Sequence, residues 1–178
     1  MDARDLLVDL YDRIPGHVAG AVEGLDAAAL ATAVVPGTNP IGWLVWHLTR
    51  VQDHHVAELL GEDQLWATGD WAPRFGLEAD PRDTGYGHTP DQVARVRPDG
   101  PEVLVDHYAA VAARTRAFLL GLSPGDLDRA VDRRWDPPVT LGVRLVSVAD
   151  DDIQHAGQAA YLRGLLDRRA GGDPAAGP

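Results

Sequence analysis

The chain has 178 residues, a formal net charge of −11 at pH 7 and an isoelectric point near 4.8. Its length predicts one domain with a sizeable core, and its 45% hydrophobic and 24% charged residues are typical of a globular protein. The acidic charge argues against nucleic acid and anionic membrane surfaces as partners, because phosphate groups require a basic surface.

The N-terminal segment and the lengths of the apolar runs predict the location of the protein. No apolar run reaches the roughly 20 residues that span a bilayer. The N-terminal MDARDLLVDLYDR carries acidic residues where a signal peptide would carry a basic region. We therefore expect a cytoplasmic protein.

Two residue types are absent and exclude whole classes of chemistry. Without cysteine, the chain can form neither a disulfide nor a thiolate metal site, and it has no cysteine nucleophile. Lysine is absent as well, which excludes Schiff-base chemistry on a lysine. Any metal site must therefore use nitrogen and oxygen ligands.

The first two helices are predicted in the N-terminal third of the chain. Residues 2–23 have a helical apolar periodicity, which Pro15 should kink or split. Asn39 is the predicted N-cap of a second helix, with Pro40 at its first position and Gly61 at its end.

Residues 61–88 predict a long ordered loop. The segment is rich in glycine, proline and aspartate, yet it contains two tryptophans, Trp66 and Trp71. A disordered segment would be poor in aromatic residues. Loops of this length are often functional, so the segment is either a lid or pocket wall, or a loop that its tryptophans attach to the core. A short helix with Thr89 as its N-cap follows.

The remaining helices complete an all-α four-helix bundle, since no stretch has the pattern of a strand. The third helix spans residues 101–120 and carries His107 on its apolar face, where a core histidine is the alternative to a site residue. The last helix spans residues 139–169, with Thr140 as a plausible N-cap. Residues 170–178 predict a disordered tail.

Two helices carry candidate metal ligands. Asp151 and His155 are four residues apart, so they stack on one face of the last helix and could hold one ion. His47 is the best third donor, because it lies in an apolar stretch where an imidazole needs a partner. The alternatives are that the histidines are ordinary core residues and that Asp151 is a solvated surface charge.

Three further polar residues are candidates for catalysis. His54 lies two turns beyond His47 and could carry protons, or it could belong to an exposed histidine pair. Arg144 could bind a substrate carboxylate, or it could form a structural ion pair with a residue of another element. Gln158 lies one turn beyond His155 and could bind a ligand or a water; otherwise it is a surface amide.

The segments TNPIGWLVWHLTRVQDHH and VRLVSVADDDIQHAGQAAYLRG are similar to the DinB-like superfamily of four-helix metal proteins. This superfamily includes the N-terminal domain of the mycothiol-dependent maleylpyruvate isomerase and bacillithiol or mycothiol S-transferases. The resemblance implies a DinB-like bundle over residues 1–169. It also implies three metal ligands, His47, Asp151 and His155. Family members carry histidine or glutamate where this chain has Asp151, and Asp152 is the alternative carboxylate.

A site with two histidines, one carboxylate and open positions is typical of a catalytic divalent metal, here Zn²⁺, Ni²⁺, Fe²⁺ or Mn²⁺. Because the chain has no cysteine, any thiol would be a cosubstrate. The expected function is a metal-dependent enzyme that activates a small thiol such as mycothiol for S-transfer or isomerisation. A metal-dependent hydrolase and a non-catalytic metal or small-ligand binding protein are the alternatives. The resemblance also implies a homodimer that acts on a small molecule.

Overall fold

A computed structural model describes residues 1–170 of the chain. Its α-helices are α1 (Ala3–Val22), α2 (Ala27–Leu30), α3 (Ile41–Leu60), α4 (Leu65–Thr68), α5 (Pro90–Val93), α6 (Pro101–Leu120) and α7 (Leu141–Ala170). Two 3₁₀ turns (Ala72–Phe75 and Pro124–Asp128) and two short strands, β1 (Ala130–Asp132) and β2 (Val139–Thr140), complete the described elements. Among these helices, none is long and apolar enough to cross a membrane. The predicted tail lies outside the described residues, apart from Ala170.

The four long helices form a bundle in which α1 and α3 each pack against both α6 and α7. Every long helix therefore has two principal neighbours, which confirms the predicted all-α four-helix bundle. The apolar core between them contains the following fully buried side chains: Ile14, Val22, Ile41, Trp46, Leu48, Val103, Leu119, Leu141 and Leu145. The core brings α3 and α7, the two helices that carry the candidate ligands, into extensive contact.

The boundaries of α1, α3 and α7 depart from the prediction; α7 begins at Leu141, two residues later than predicted, because Val139 and Thr140 form β2. Helix α1 continues through Pro15, so of the two predicted outcomes, a kink or a split, the split does not occur. Packing of the buried face around Pro15 outweighs the roughly 3 kcal/mol that an internal proline costs. Helix α3 begins one residue later than predicted, with Pro40 as its N-cap. It ends at Gly61, whose φ of 69° lies in the left-handed region that favours glycine.

The approach to α7 contains a small sheet. Strand β1 pairs with β2 in the antiparallel direction, so the prediction that no stretch forms a strand is wrong. Strands this short have no room for an alternating pattern, which is why the sequence does not reveal them. The Thr140 hydroxyl then accepts a hydrogen bond from the backbone of Val143 at 3.3 Å, as expected of an N-cap.

The long loop 61–88 is ordered, as predicted, because two buried charged residues of α3 bind its backbone. The Arg50 guanidinium donates to the carbonyls of Pro81 and Asp83 at 3.3 and 3.2 Å. The Asp53 carboxylate accepts from the backbone N–H of Trp66 at 2.9 Å. Asp53 also accepts from Arg50 and from Arg114 on α6. The loop is thereby held over the face of α3 that carries His47.

Candidate metal centre

The three predicted ligands lie together at the contact between α3 and α7. Ligand atoms of His47, Asp151 and His155 all lie within 4.8 Å of one another. Nε2 of His155 is 3.6 Å from Oδ1 of Asp151, one helical turn earlier. Two ligands of one tetrahedral ion with bonds of about 2.1 Å lie roughly 3.4 Å apart. The separation of the His155 and Asp151 atoms therefore suits a shared cation.

Each imidazole is held by a hydrogen bond at its Nδ1 atom. Nδ1 of His47 donates to the carbonyl of Thr84 at 2.5 Å. Nδ1 of His155 donates to the side-chain oxygen of Gln158 at 2.9 Å. Because each Nδ1 then carries the proton, each Nε2 keeps its lone pair for a metal. Such outer partners fix the tautomer and ring orientation of histidine ligands.

The electrostatic state of the site also suits a cation. Burial lowers the pKa of His47 below its ordinary value, although the bond to Thr84 acts in the opposite direction. The ring is therefore neutral at pH 7, as a metal ligand must be. Oδ2 of Asp151 is buried and has no hydrogen-bond partner among the described residues. A buried carboxylate oxygen without a partner is costly, and a bound cation would remove that cost.

Aromatic and polar side chains around His47 hold its ring in place. The indole of Trp43 stacks on His47, with ring centroids 4.7 Å apart. Nε1 of Trp43 donates to Nδ1 of His88 at 3.2 Å, and Nε2 of His88 donates to Asp83 at 2.7 Å. This Trp43–His88–Asp83 chain links α3 to the long loop. Sequence reasoning missed it, because His88 and Asp83 lie in an irregular loop where no periodicity shows their direction.

Gly85 is the closest point of the loop to the site. Its φ of 90° lies in the left-handed region. A Cβ built on it would lie 2.8 Å from Nδ1 of His47 and 2.8 Å from the Trp46 ring. Only glycine allows the loop to approach this closely, and the close approach places the Thr84 carbonyl on His47.

The predicted catalytic residues have different surroundings. Gln158 lies next to the ligand group, since it accepts the hydrogen bond from His155. Arg144 binds Asp132 of β1 at 3.2 Å and donates to His55, so its geometry is that of a structural ion pair. His54 lies away from the ligand group and accepts a hydrogen bond from the side-chain amide of Gln64.

His54, His55 and Glu58 form a second cluster of ligand atoms. Here Arg144 donates to Nδ1 of His55 at 3.2 Å, which occupies one nitrogen and places a positive charge beside the cluster. Burial and the Arg144 charge lower the pKa of His55 to about 4. This cluster is therefore a poorer metal site than the first one.

Two other candidates face the core instead of the site. Asp152, the alternative carboxylate, is fully buried and is not part of either cluster, so the geometry favours Asp151. Burial raises the pKa of Asp152 well above its usual range. His107 is fully buried and stacks on Trp71 with centroids 4.9 Å apart. His107 is therefore a core histidine, which was the predicted alternative to a site residue.

The comparisons with known proteins identify the family and the fold of this chain. None of the curated proteins matches the chain. A solved structure described as the conserved protein of locus from Enterococcus faecalis is 32% identical, with a TM-score of 0.84. That match covers 93% of this chain and 97% of the other. The family model described as mycothiol-S-transferase matches residues 6–168, a range that contains α3, most of α7 and all three candidate ligands. The chain therefore belongs to the mycothiol-S-transferase family.

Proposed function

We propose that this protein is a divalent-metal-dependent S-transferase that uses a low-molecular-weight thiol, such as mycothiol, as a cosubstrate. The main support is the arrangement of His47, Asp151 and His155, whose ligand atoms lie within 4.8 Å of one another while both Nδ1 atoms are bonded elsewhere. Family membership supports the transfer of a thiol. The absence of cysteine from the chain requires that the thiol come from outside.

His47, Asp151 and His155 would hold the metal through two neutral imidazole nitrogens and one carboxylate. A divalent cation in this position would lower the pKa of a thiol that coordinates it, which supplies a thiolate at neutral pH. Three protein ligands leave coordination positions open, as in catalytic sites.

The surrounding residues keep the site ready for a ligand. His47 is only 6% exposed, and the Trp43 ring covers one of its faces. The Thr84 carbonyl and the Gln158 amide hold both imidazoles in the tautomer that leaves Nε2 free. With these groups in place, little reorganisation is needed when a metal and a thiol bind.

Metal content and thiol-dependent turnover test this function. Protein purified without a histidine tag should contain close to one divalent ion per chain. His155→Ala should lose most of that metal, because two ligands remain. His54→Ala is the matched control: it removes a histidine of α3 that lies outside the ligand group, and it should retain the metal.

The turnover assay separates the transferase from other activities of the same site. The enzyme should consume an electrophilic substrate only when both the metal and an added thiol are present. Turnover without a thiol would instead indicate a hydrolase with water as the nucleophile. Equal metal retention in His155→Ala and His54→Ala would reject the ligand assignment.

A further inference from the structure

A groove begins beside the candidate metal centre. It lies between α3, residues 35–39 and the C-terminal half of α7, with a volume of about 420 Å³. This volume is in the range of small-molecule sites. Gln158 lines the groove and also accepts the hydrogen bond from Nδ1 of His155. The groove is therefore separated from a metal ligand by one side chain.

The groove runs along the same contact between α3 and α7 as the candidate metal centre. Leu44 lies one turn before His47 on α3, and Leu162 lies two turns after His155 on α7. Both leucines line the groove. A molecule in the groove would therefore extend from the ligand group toward the C-terminal part of α7.

The lining of the groove is apolar and uncharged. Half of the lining residues are aliphatic: Val35, Leu44, Leu162 and Leu165. Tyr161 adds an aromatic ring, and the remaining described lining residues, Asn39 and Gln158 among them, are uncharged amides or a hydroxyl. Among the described residues, no arginine lines the groove to pair with an anion, and the chain as a whole carries a charge of −11. The groove therefore suits a neutral, apolar molecule.

We infer that this groove binds the second reactant, a neutral electrophile with an alkyl or aryl body, next to the thiol. The inference rests on the proposed transferase function. Low-molecular-weight thiols of cells are hydrophilic, so the apolar lining suits the electrophile better than the thiol. For an aryl halide, the thiol sulphur forms a bond to the ring carbon, the carbon–halogen bond breaks, and halide leaves. The thiol proton goes to the solvent.

Binding to the metal-free protein tests the groove separately from the chemistry. Dinitrobenzene, which has no leaving halide, serves as an unreactive probe in calorimetric titrations. Leu165→Asp places a charge in the lining and should weaken binding by about tenfold or more. Leu6→Asp is the matched control, because Leu6 is an exposed leucine of α1 outside the groove; its binding should equal that of the wild type.

A second variant keeps the test decisive if Leu165→Asp unfolds. Tyr161 is 66% exposed, so Tyr161→Asp should fold, and it should also weaken the binding of dinitrobenzene. Equal dissociation constants for the wild type and Tyr161→Asp would overturn the groove as the binding site.

Turnover then distinguishes the two proposals. With chlorodinitrobenzene and a small thiol, the groove variants should raise KM for the aryl halide and leave KM for the small polar electrophile iodoacetamide unchanged. Dinitrobenzene binding without any thiol-dependent turnover would reject the transferase but not the groove. Turnover with the same KM in all variants would reject the groove but not the transferase.

Discussion

Substituting Gly85 with alanine should disable the metal site from the loop, although Gly85 carries no ligand. The new Cβ would lie 2.8 Å from Nδ1 of His47, where ordinary contact begins at 3.4 Å. Either the loop or the imidazole must therefore move by about half an ångström or more. Metal–ligand distances tolerate roughly 0.2 Å, so we expect a loss of about 100-fold in metal affinity, at the upper end for an outer partner of a ligand.

Gly87→Ala is the control for this substitution. Gly87 also has a left-handed φ, 73°, but a Cβ on it would meet no atom within 4 Å. Both variants lose roughly 1–2 kcal/mol of stability because a side chain is strained in this backbone conformation. Only Gly85→Ala brings a new atom against His47, so the difference between the variants isolates the collision.

The assay is a competition titration of metal-stripped protein against a chromophoric chelator. Urea unfolding of the same samples measures the shared loss of stability. If Gly85→Ala and Gly87→Ala bind the metal with equal affinity, the loop does not orient His47. The Thr84 carbonyl would then have no role in metal binding.

Two further substitutions test the outer partner of His155 and the buried histidine. Gln158→Ala removes the acceptor for Nδ1 of His155 and should weaken metal binding by about tenfold, the lower end for an exposed outer partner. Gln154→Ala, whose amide binds Asp150 instead, should not weaken it, and equal losses would contradict the assignment. Burial lowers the pKa of His107 to about 3, so the unfolded chain binds the extra proton below pH 6.5 and stability falls as pH decreases. His107→Leu should remove about 2 kcal/mol of the loss between pH 6.5 and 5 in urea unfolding, and an unchanged pH dependence would show that His107 is not buried in its neutral form.

The helical part of the site could be predicted from the sequence because helical geometry is regular. A spacing of four residues places Asp151 and His155 on one face whatever the rest of the chain does. The apolar neighbours of His47 indicate that its ring enters the interior. Both faces are buried in the same bundle, and the contact between α3 and α7 brings the candidate ligands together.

The loop part of the site could not be predicted in the same way. Asp83, Thr84 and His88 lie in a segment without periodicity, and the backbone carbonyl of Thr84 has no sequence signature. The burial of Arg50 and Asp53 could not be predicted either, because charged residues in a helix are usually exposed. Their burial follows only from the loop backbone that they bind. Arg144 shows the same limit, since its partner Asp132 comes from a strand that the sequence does not indicate.

These two parts of the site have different physical roles. Helices α3 and α7 bring the three candidate ligands together, since their register sets the positions of His47, Asp151 and His155. The loop orients the His47 ring, since the Thr84 carbonyl holds its proton on Nδ1 and leaves Nε2 free for the proposed metal. Arg50 connects the two parts, because one buried guanidinium on α3 binds the carbonyl of Asp83, the residue before Thr84. A family member with the same three ligands but a different loop should therefore keep the fold and bind metal with a different affinity.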